Sequence, residues 1–228
     1  MEFDLFLWPM LLPLILPLIY CVKYKKESFV EIGTIILVMV LIVLLYWPMV
    51  TSTIFFSYTY IVTKFLLFVV LPIISFVLIQ GNTTPFHLDI YGLKKQGVRM
   101  SLFWFLLLLP VMLATTFIIH YFSNGSWNVE LVAGVMSFFE AFTEEFFFRG
   151  ILFVFLLQKI NMKIAYITSL TSFILMHPQN LTTLFIFGTV LQGILTLEIT
   201  RRSQNITGAW LLHGSNRFFQ LVLLPLFM

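Results

Sequence analysis

The chain has 228 residues, of which 60% are hydrophobic and 10% are charged, and its mean hydropathy is +1.01. A soluble domain carries roughly 25% charged residues, so this composition excludes a water-soluble globular protein and indicates a lipid bilayer as the surrounding medium. The formal net charge of +3 is too small to indicate a nucleic-acid partner, and the single cysteine, Cys21, excludes an internal disulfide and a cysteine-based metal cluster.

Eight apolar stretches follow one another along the chain, and most approach the roughly 20 residues that an α-helix needs to cross a bilayer. They lie at 5–22, 28–49, 54–80, 100–122, 130–157, 164–177, 181–199 and 205–227. The sixth is short because Pro178 pushes the residue before it out of the helical region. We therefore predict an all-α, polytopic integral membrane protein with about eight transmembrane helices, forming one transmembrane domain over residues 1–228.

The basic residues between these stretches fall on one side of the predicted membrane. Ten lysines and arginines lie in the first, third, fifth and seventh connections, and none lies in the second, fourth or sixth. The positive-inside rule then places the odd-numbered connections in the cytoplasm and both termini outside. The compact chain, without a soluble domain or an organelle address, favours a bacterial plasma membrane as its location.

The fifth stretch carries four charges at depths where charge is costly: Glu140, Glu144, Glu145 and Arg149. A charge at the centre of a membrane helix costs about 2.5–3.5 kcal/mol, so such a cluster marks a functional site by default. Glu145 and Arg149 are four residues apart and can pair on one helix face, whereas Glu144 is rotated by about 100° from Glu145. A purely structural polar network between helices is the alternative. Two further basic residues lie inside predicted spans, Lys64 and Arg217.

Two histidines in other stretches can join Glu144. Glu144 and His177 each lie about 14 residues from the cytoplasmic ends of their stretches, which puts both about 20 Å above the inner face. His213 lies at a similar depth or lower. A carboxylate with an imidazole suits water activation, and a second imidazole can stabilise the oxyanion that forms. A single membrane histidine is more often a hydrogen-bonding residue between helices, so the inference depends on all three together.

Other hydrolytic chemistries lack their residues. The chain has no G-x-S-x-G motif and no aspartate inside a predicted span, which argues against a serine hydrolase. It also has no H-E-x-x-H motif. Glu144, His177 and His213 could nevertheless supply three ligands to a zinc ion with water as the fourth, so zinc stays open as an alternative cofactor.

Three motifs resemble those of the CPBP family, which includes type II CAAX prenyl endopeptidases and bacterial Abi proteins. Residues 144–149 read E-E-F-F-F-R and match its E-E-x-x-x-R motif. Residues 173–177 read F-I-L-M-H and match F-x-x-x-H, and residues 213–216, H-G-S-N, look like the third motif. Their order also fits, and they define a motif-bearing catalytic core over about 130–227.

The resemblance implies a role for each matching residue. Glu144 and His177 would activate water, and His213 with Asn216 would hold the oxyanion. Three residues would support the site: Glu145, Arg149 and Phe173. The third motif departs from the family pattern, in which the amide or acid follows the histidine by four residues rather than three.

The departure leaves two candidates for completing the oxyanion site. Asn216 lies three residues after His213, and Arg217 occupies the fourth place. On a helix both stay on the side of His213, rotated by about −60° and +40°. Either the Asn216 amide or the Arg217 guanidinium could therefore stabilise the oxyanion.

The leading hypothesis is an intramembrane endopeptidase that hydrolyses a peptide bond in a membrane-associated peptide or protein, lipidated substrates included. By resemblance we expect a metal-free, glutamate-based mechanism with no cofactor, although the family has often been named as metalloproteases. The alternative is a non-catalytic, Abi-like membrane protein that gives bacteriocin self-immunity or acts as a scaffold. A proton-coupled transporter is disfavoured because no inverted repeat is visible.

The distribution of basic residues predicts the membrane orientation independently of any family. Tags at residue 1 and residue 228 should react with a membrane-impermeant reagent in intact cells, and a tag near Lys94 should react only after lysis. A C-terminal tag that is protected in intact cells would contradict the count of eight crossings.

Overall fold

The computed structural model describes residues 7–50, 57–81, 83–123 and 128–227, and within these residues it contains helices and no strand. The all-α fold class is therefore confirmed. The termini, together with the first residues of the predicted first and third stretches, lie outside the described residues.

Nine α-helices occur in the described part of the chain: α1 Ile15–Tyr24, α2 Phe29–Val50, α3 Tyr58–Phe65, α4 Leu71–Gln80, α5 Val98–Ser123, α6 Leu131–Glu145, α7 Met162–Leu175, α8 Phe185–Ser203 and α9 Thr207–Phe218. A 3₁₀ segment, Trp8–Leu14, leads into α1, and a π-helical turn, Leu66–Val70, joins α3 to α4. The chain continues from α6 as a π-helix, Phe146–Phe155, and from α9 through a π-helical turn, Phe219–Leu223.

Each predicted stretch coincides with helical structure, but their lengths differ. Among the described residues, three helical segments are long and apolar enough to cross a membrane: Lys26–Tyr46, Tyr58–Gln80 and Val98–Ser123. Two apolar helical segments are shorter, Trp8–Tyr24 and Met162–Leu175. Three candidate spans and the apolar helices support an integral membrane protein, and the count of eight crossings stays a prediction.

The helix that carries the first motif lies at the centre of the fold. All ten residues of the π-helix Phe146–Phe155 are buried, as expected for a segment that is apolar on nearly all sides and whose one charge, Arg149, is paired with Glu145. By contrast, only 17% of the most apolar part of α5 is buried. The apolar outer face of α5 is thus free to contact lipid, while the end of α6, from Glu140 onward, and its continuation are enclosed by other helices.

Small residues bring α9 close to its neighbours. The backbone N–H of Gly208 donates to Ser101 Oγ in α5 at 2.8 Å, and a side chain at Gly208 would overlap the Ser101 carbonyl. A side chain at Gly214 would likewise overlap the ring of Phe138 in α6. Such close approaches are typical of helix packing in membranes. They place His213, which precedes Gly214, directly against the motif-bearing helix.

Candidate active site

Glu144 lies in the last turn of α6 and is 4% exposed. Its Oε1 accepts a short hydrogen bond from Lys64 Nζ. Its Oε2 is buried, has no hydrogen-bond partner among the described residues, and lies 3.8 Å from His177 Nε2 and 4.0 Å from His213 Nε2. The carboxylate thus has one oxygen bound to a cation and the other turned toward two imidazoles. The depth argument correctly expected Glu144 and His177 to meet.

His177 follows the end of α7 and precedes Pro178. Its Nδ1 lies 2.9 Å from the backbone carbonyl of Phe173. Because a carbonyl only accepts, Nδ1 carries the hydrogen, and in the neutral ring Nε2 is an acceptor directed toward Glu144. The Phe173 ring packs against this imidazole with centroids 4.9 Å apart. The first residue of the second motif therefore fixes the orientation and tautomer of its last.

His213 is held by the second glutamate of the first motif. His213 Nδ1 lies 2.9 Å from Glu145 Oε1, and both side chains are buried. Since the carboxylate oxygen accepts, Nδ1 donates, and Nε2 is turned toward Glu144. The sequence analysis placed Glu145 beside Arg149 and did not anticipate this second contact.

The predicted Glu145–Arg149 pair is confirmed, with Arg149 Nε 3.1 Å from Glu145 Oε2 and both side chains fully buried. The contact is electrostatic, because Oε2 has no aligned hydrogen bond within the described chain. Arg149 also donates to Thr196 Oγ1 and to the Gly193 carbonyl in α8. Its guanidinium carbon lies 4.2 Å from the centroid of the Phe173 ring. One buried arginine thereby connects α6, α7 and α8.

Asn216 is buried, and both ends of its amide are engaged. Its Oδ1 accepts from Thr116 Oγ1 in α5 at 2.7 Å, and its Nδ2 donates to Gln192 Oε1 in α8 at 2.8 Å. Arg217 is more exposed, and its Nη2 lies 3.9 Å from Glu140 Oε2. The offset of three residues after His213 thus still places the amide beside the site.

A cavity of about 420 Å³ opens next to these groups. Its lining includes Phe173 and His177 of the second motif, His213 and Asn216 of the third, and the adjacent Arg217. The lining also contains hydroxyl and amide side chains, Thr116, Asn180, Thr189 and Gln192, beside apolar ones. Glu144 is not itself part of the lining; its Oε2 lies 3.8 and 4.0 Å from the ring nitrogens of His177 and His213, which are.

A charged residue outside the motifs completes the cluster. Lys64 in α3 is 1% exposed, and its Nζ donates to Glu140 Oε1 at 2.8 Å as well as to Glu144. Tyr60, one turn earlier, donates its hydroxyl to the same Glu140 oxygen at 2.8 Å. The sequence analysis noted Lys64 as a charge inside a span without giving it a partner. A lysine inside a membrane span is costly, and this cost was the one indication in the sequence that Lys64 has a buried partner.

The donor set of one carboxylate and two imidazoles is one that zinc accepts, but its geometry does not fit. In the described residues no group of three or more His, Cys, Asp or Glu side chains is arranged to hold a metal ion. Ligands at 2.0–2.1 Å from a tetrahedral zinc lie about 3.4 Å apart, less than the 3.8 and 4.0 Å that separate Glu144 from the two rings. The Lys64 ammonium also binds the other Glu144 oxygen.

Comparison with known families identifies a family for this chain. The family model described as type II CAAX prenyl endopeptidase Rce1-like matches residues 100–219, which is 120 of the 228 residues. The matched region contains all three motifs and begins after Lys64. No curated protein and no solved structure matches the chain significantly.

The buried Glu145–Arg149 pair predicts a stability effect. Glu145→Gln should destabilise the protein by about 3–5 kcal/mol, because it leaves the Arg149 guanidinium buried without a carboxylate. Glu145→Gln combined with Arg149→Met should be milder. The matched control is Glu198→Gln, which removes a partly exposed partner of Arg201 and Arg202 and should cost about 1 kcal/mol or less. Thermal melting in one detergent measures all three, and a wild-type melting temperature for Glu145→Gln would refute the pairing.

Proposed function

The chain belongs to the type II CAAX prenyl endopeptidase Rce1-like family, and from this premise we propose that it is an intramembrane endopeptidase in which Glu144 and His177 activate water. The observation that carries the proposal is the buried Oε2 of Glu144, which has no hydrogen-bond partner in the described chain and faces two imidazoles. A buried carboxylate oxygen without a hydrogen bond is energetically costly. A molecule that donates a hydrogen bond to this oxygen during the reaction would therefore bind favourably.

Water is the group that fits this geometry. Glu144 Oε2 and His177 Nε2 are both acceptors and lie 3.8 Å apart. A water molecule at about 2.8 Å from each can donate one hydrogen to each of them. As the water oxygen adds to the peptide carbonyl carbon, Glu144 takes its proton, and His177 keeps the water oriented. Cleavage of the C–N bond then returns that proton to the leaving amine.

The oxyanion formed by this addition would lie near α9, on the side of the carbonyl away from the water held by Glu144 and His177. Glu145 accepts from Nδ1 of His213 and so holds the ring with its Nε2 directed toward the reacting carbonyl. The Asn216 amide has two hydrogens, and Gln192 takes one of them, which leaves the other for the oxyanion. The Thr116 hydroxyl fixes the amide orientation by donating to its oxygen. Donors that are held in place before the reaction are the effective ones.

The size and lining of the cavity support a peptide substrate. A volume of about 420 Å³ lies in the range of about 300–1,000 Å³ that is typical of ligand pockets. It suits a short extended segment better than a transmembrane helix, whose diameter is about 10–12 Å. We propose a membrane-associated peptide or protein as substrate, and the assay below tests directly whether a lipid anchor is required.

The same proposal includes the arrangement in the membrane. The eight predicted stretches would all cross a bacterial plasma membrane as one domain, with both termini outside and the catalytic core within about 130–227.

Peptide hydrolysis by the purified protein tests the function. In detergent, the wild type should cleave members of a peptide library that contains prenylated and unmodified sequences, with products identified by mass spectrometry. Glu144→Gln should lower turnover by about 10²–10⁴-fold, because the amide cannot take a proton from water. Glu198→Gln, which does not line the cavity, is the matched control. A folded wild type that cleaves nothing would favour the non-catalytic, Abi-like alternative.

The same assay decides the metal question. Activity should survive EDTA and 1,10-phenanthroline, and elemental analysis should find less than one metal ion per chain. Bound zinc would instead lower the pKa of its water to about 7. Stoichiometric zinc that is lost in His177→Ala and His213→Ala would overturn the metal-free mechanism.

A further inference from the structure

We infer that Lys64 is a positioning residue that aims the reactive oxygen of Glu144 at the two histidines, an inference that rests on the proposed function. Lys64 lies in α3, outside the motifs and outside residues 100–219 that match the family. The motifs therefore do not assign Lys64 to the site. Its hydrogen bonds to Glu140 and Glu144 do.

The ammonium group determines which way the Glu144 carboxylate faces. Lys64 Nζ binds Oε1 of Glu144. The two oxygens of a carboxylate are fixed in one plane, so holding Oε1 at the lysine leaves Oε2 directed to the other side. That side is where the ring nitrogens of His177 and His213 lie. A freely rotating carboxylate could instead turn both oxygens away from the two imidazoles.

Lys64 is itself held firmly. Its second acceptor is Glu140 Oε1 at 2.8 Å, and the Tyr60 hydroxyl donates to that same oxygen. The ammonium lies 5.5 Å from the ring centroid of Tyr60 and 5.8 Å from that of Phe68. These contacts come from α3, α6 and the turn after α3, so the lysine cannot move without disturbing two helices. A fixed donor is what positioning requires.

The other cations of the cluster lie closest to other carboxylates. Arg149 Nε lies 3.1 Å from Glu145, and Arg217 Nη2 lies 3.9 Å from Glu140. Lys64 is the cation that hydrogen-bonds Glu144 in the described part of the chain. The competing view is that Lys64 only balances the charge of Glu140 and Glu144, in which case any charge-balanced replacement would serve equally well.

Turnover of a charge-balanced variant separates positioning from charge balance. Lys64→Met with Glu140→Gln removes one cation and one carboxylate and keeps Glu144. We expect a folded protein whose kcat is about 100-fold lower with KM nearly unchanged, since small displacements of a reacting group are costly. Lys64→Arg keeps the charge but not the position of the donor, and should lower kcat by about tenfold. Wild-type kcat in either variant would overturn the proposal.

A second measurement needs no substrate. Lys64→Met leaves one buried carboxylate without a cation, so adding Glu144→Gln should raise its melting temperature by about 2–4 °C or more. Where Lys64→Met gives no folded protein, Glu144→Gln should restore it. Adding Glu145→Gln instead should lower stability further, because it leaves Arg149 unpaired.

The two measurements keep the inference separate from the proposed function. If the wild type hydrolyses no peptide, the proposed function fails, and the melting comparison still decides whether Lys64 is paired with Glu144. If Glu144→Gln gives no recovery over Lys64→Met, Lys64 is not the partner of Glu144 and the inference fails even in an active enzyme.

Discussion

Burial of three carboxylates on one helix is the constraint on which the rest of this structure depends. Glu140, Glu144 and Glu145 are each less than 5% exposed, and an isolated charge at such a depth is costly. Three cations lie beside them. Lys64 is on α3, Arg149 is on the π-helical continuation of α6, and Arg217 is on α9. The helices that contribute these cations must therefore pack against α6, and the arrangement of charges helps to determine the fold.

The pairing within this cluster is unequal, and the inequality gives the site its chemistry. Glu145 is fully committed, with one oxygen at His213 and the other at Arg149. Glu144 is committed at one oxygen only. Two adjacent carboxylates on one helix can thus take different roles, because they point in directions about 100° apart. The first keeps an oxygen for the reaction, and the second holds the histidine beside it.

Much of this could be predicted from the sequence, because charges and prolines in apolar stretches are strong signals. Depth along the stretches placed Glu144 with His177, and the spacing of four residues paired Glu145 with Arg149. The contact between Lys64 and Glu144 could not be predicted, because apolar periodicity does not show which faces of distant helices meet. Neutral polar residues gave still less indication, since a threonine or glutamine is common in a membrane helix. The hydrogen bonds of Thr116 and Gln192 to Asn216 of the third motif are one example.

The π-helical continuation of α6 was also beyond the sequence analysis. A run of phenylalanines after Glu145 predicts an apolar helix, but a wider helical turn follows from packing rather than from propensity. Such turns occur often at functional sites. Here the wider segment, Phe146–Phe155, begins at the residue after Glu145 and includes Arg149, so the two members of the ion pair lie on either side of the transition.

The central claim is that Glu144 and His177 act on one water molecule as a unit, and a double-mutant cycle of kcat/KM tests it most directly. Wild type, Glu144→Gln, His177→Ala and the double variant would be compared after matched melting temperatures show that each is folded. Groups that act as a unit lose their effect together, so the double variant should be no slower than the slower single variant. A double variant whose loss equals the product of the two single losses would show that the residues act independently, and would contradict the account.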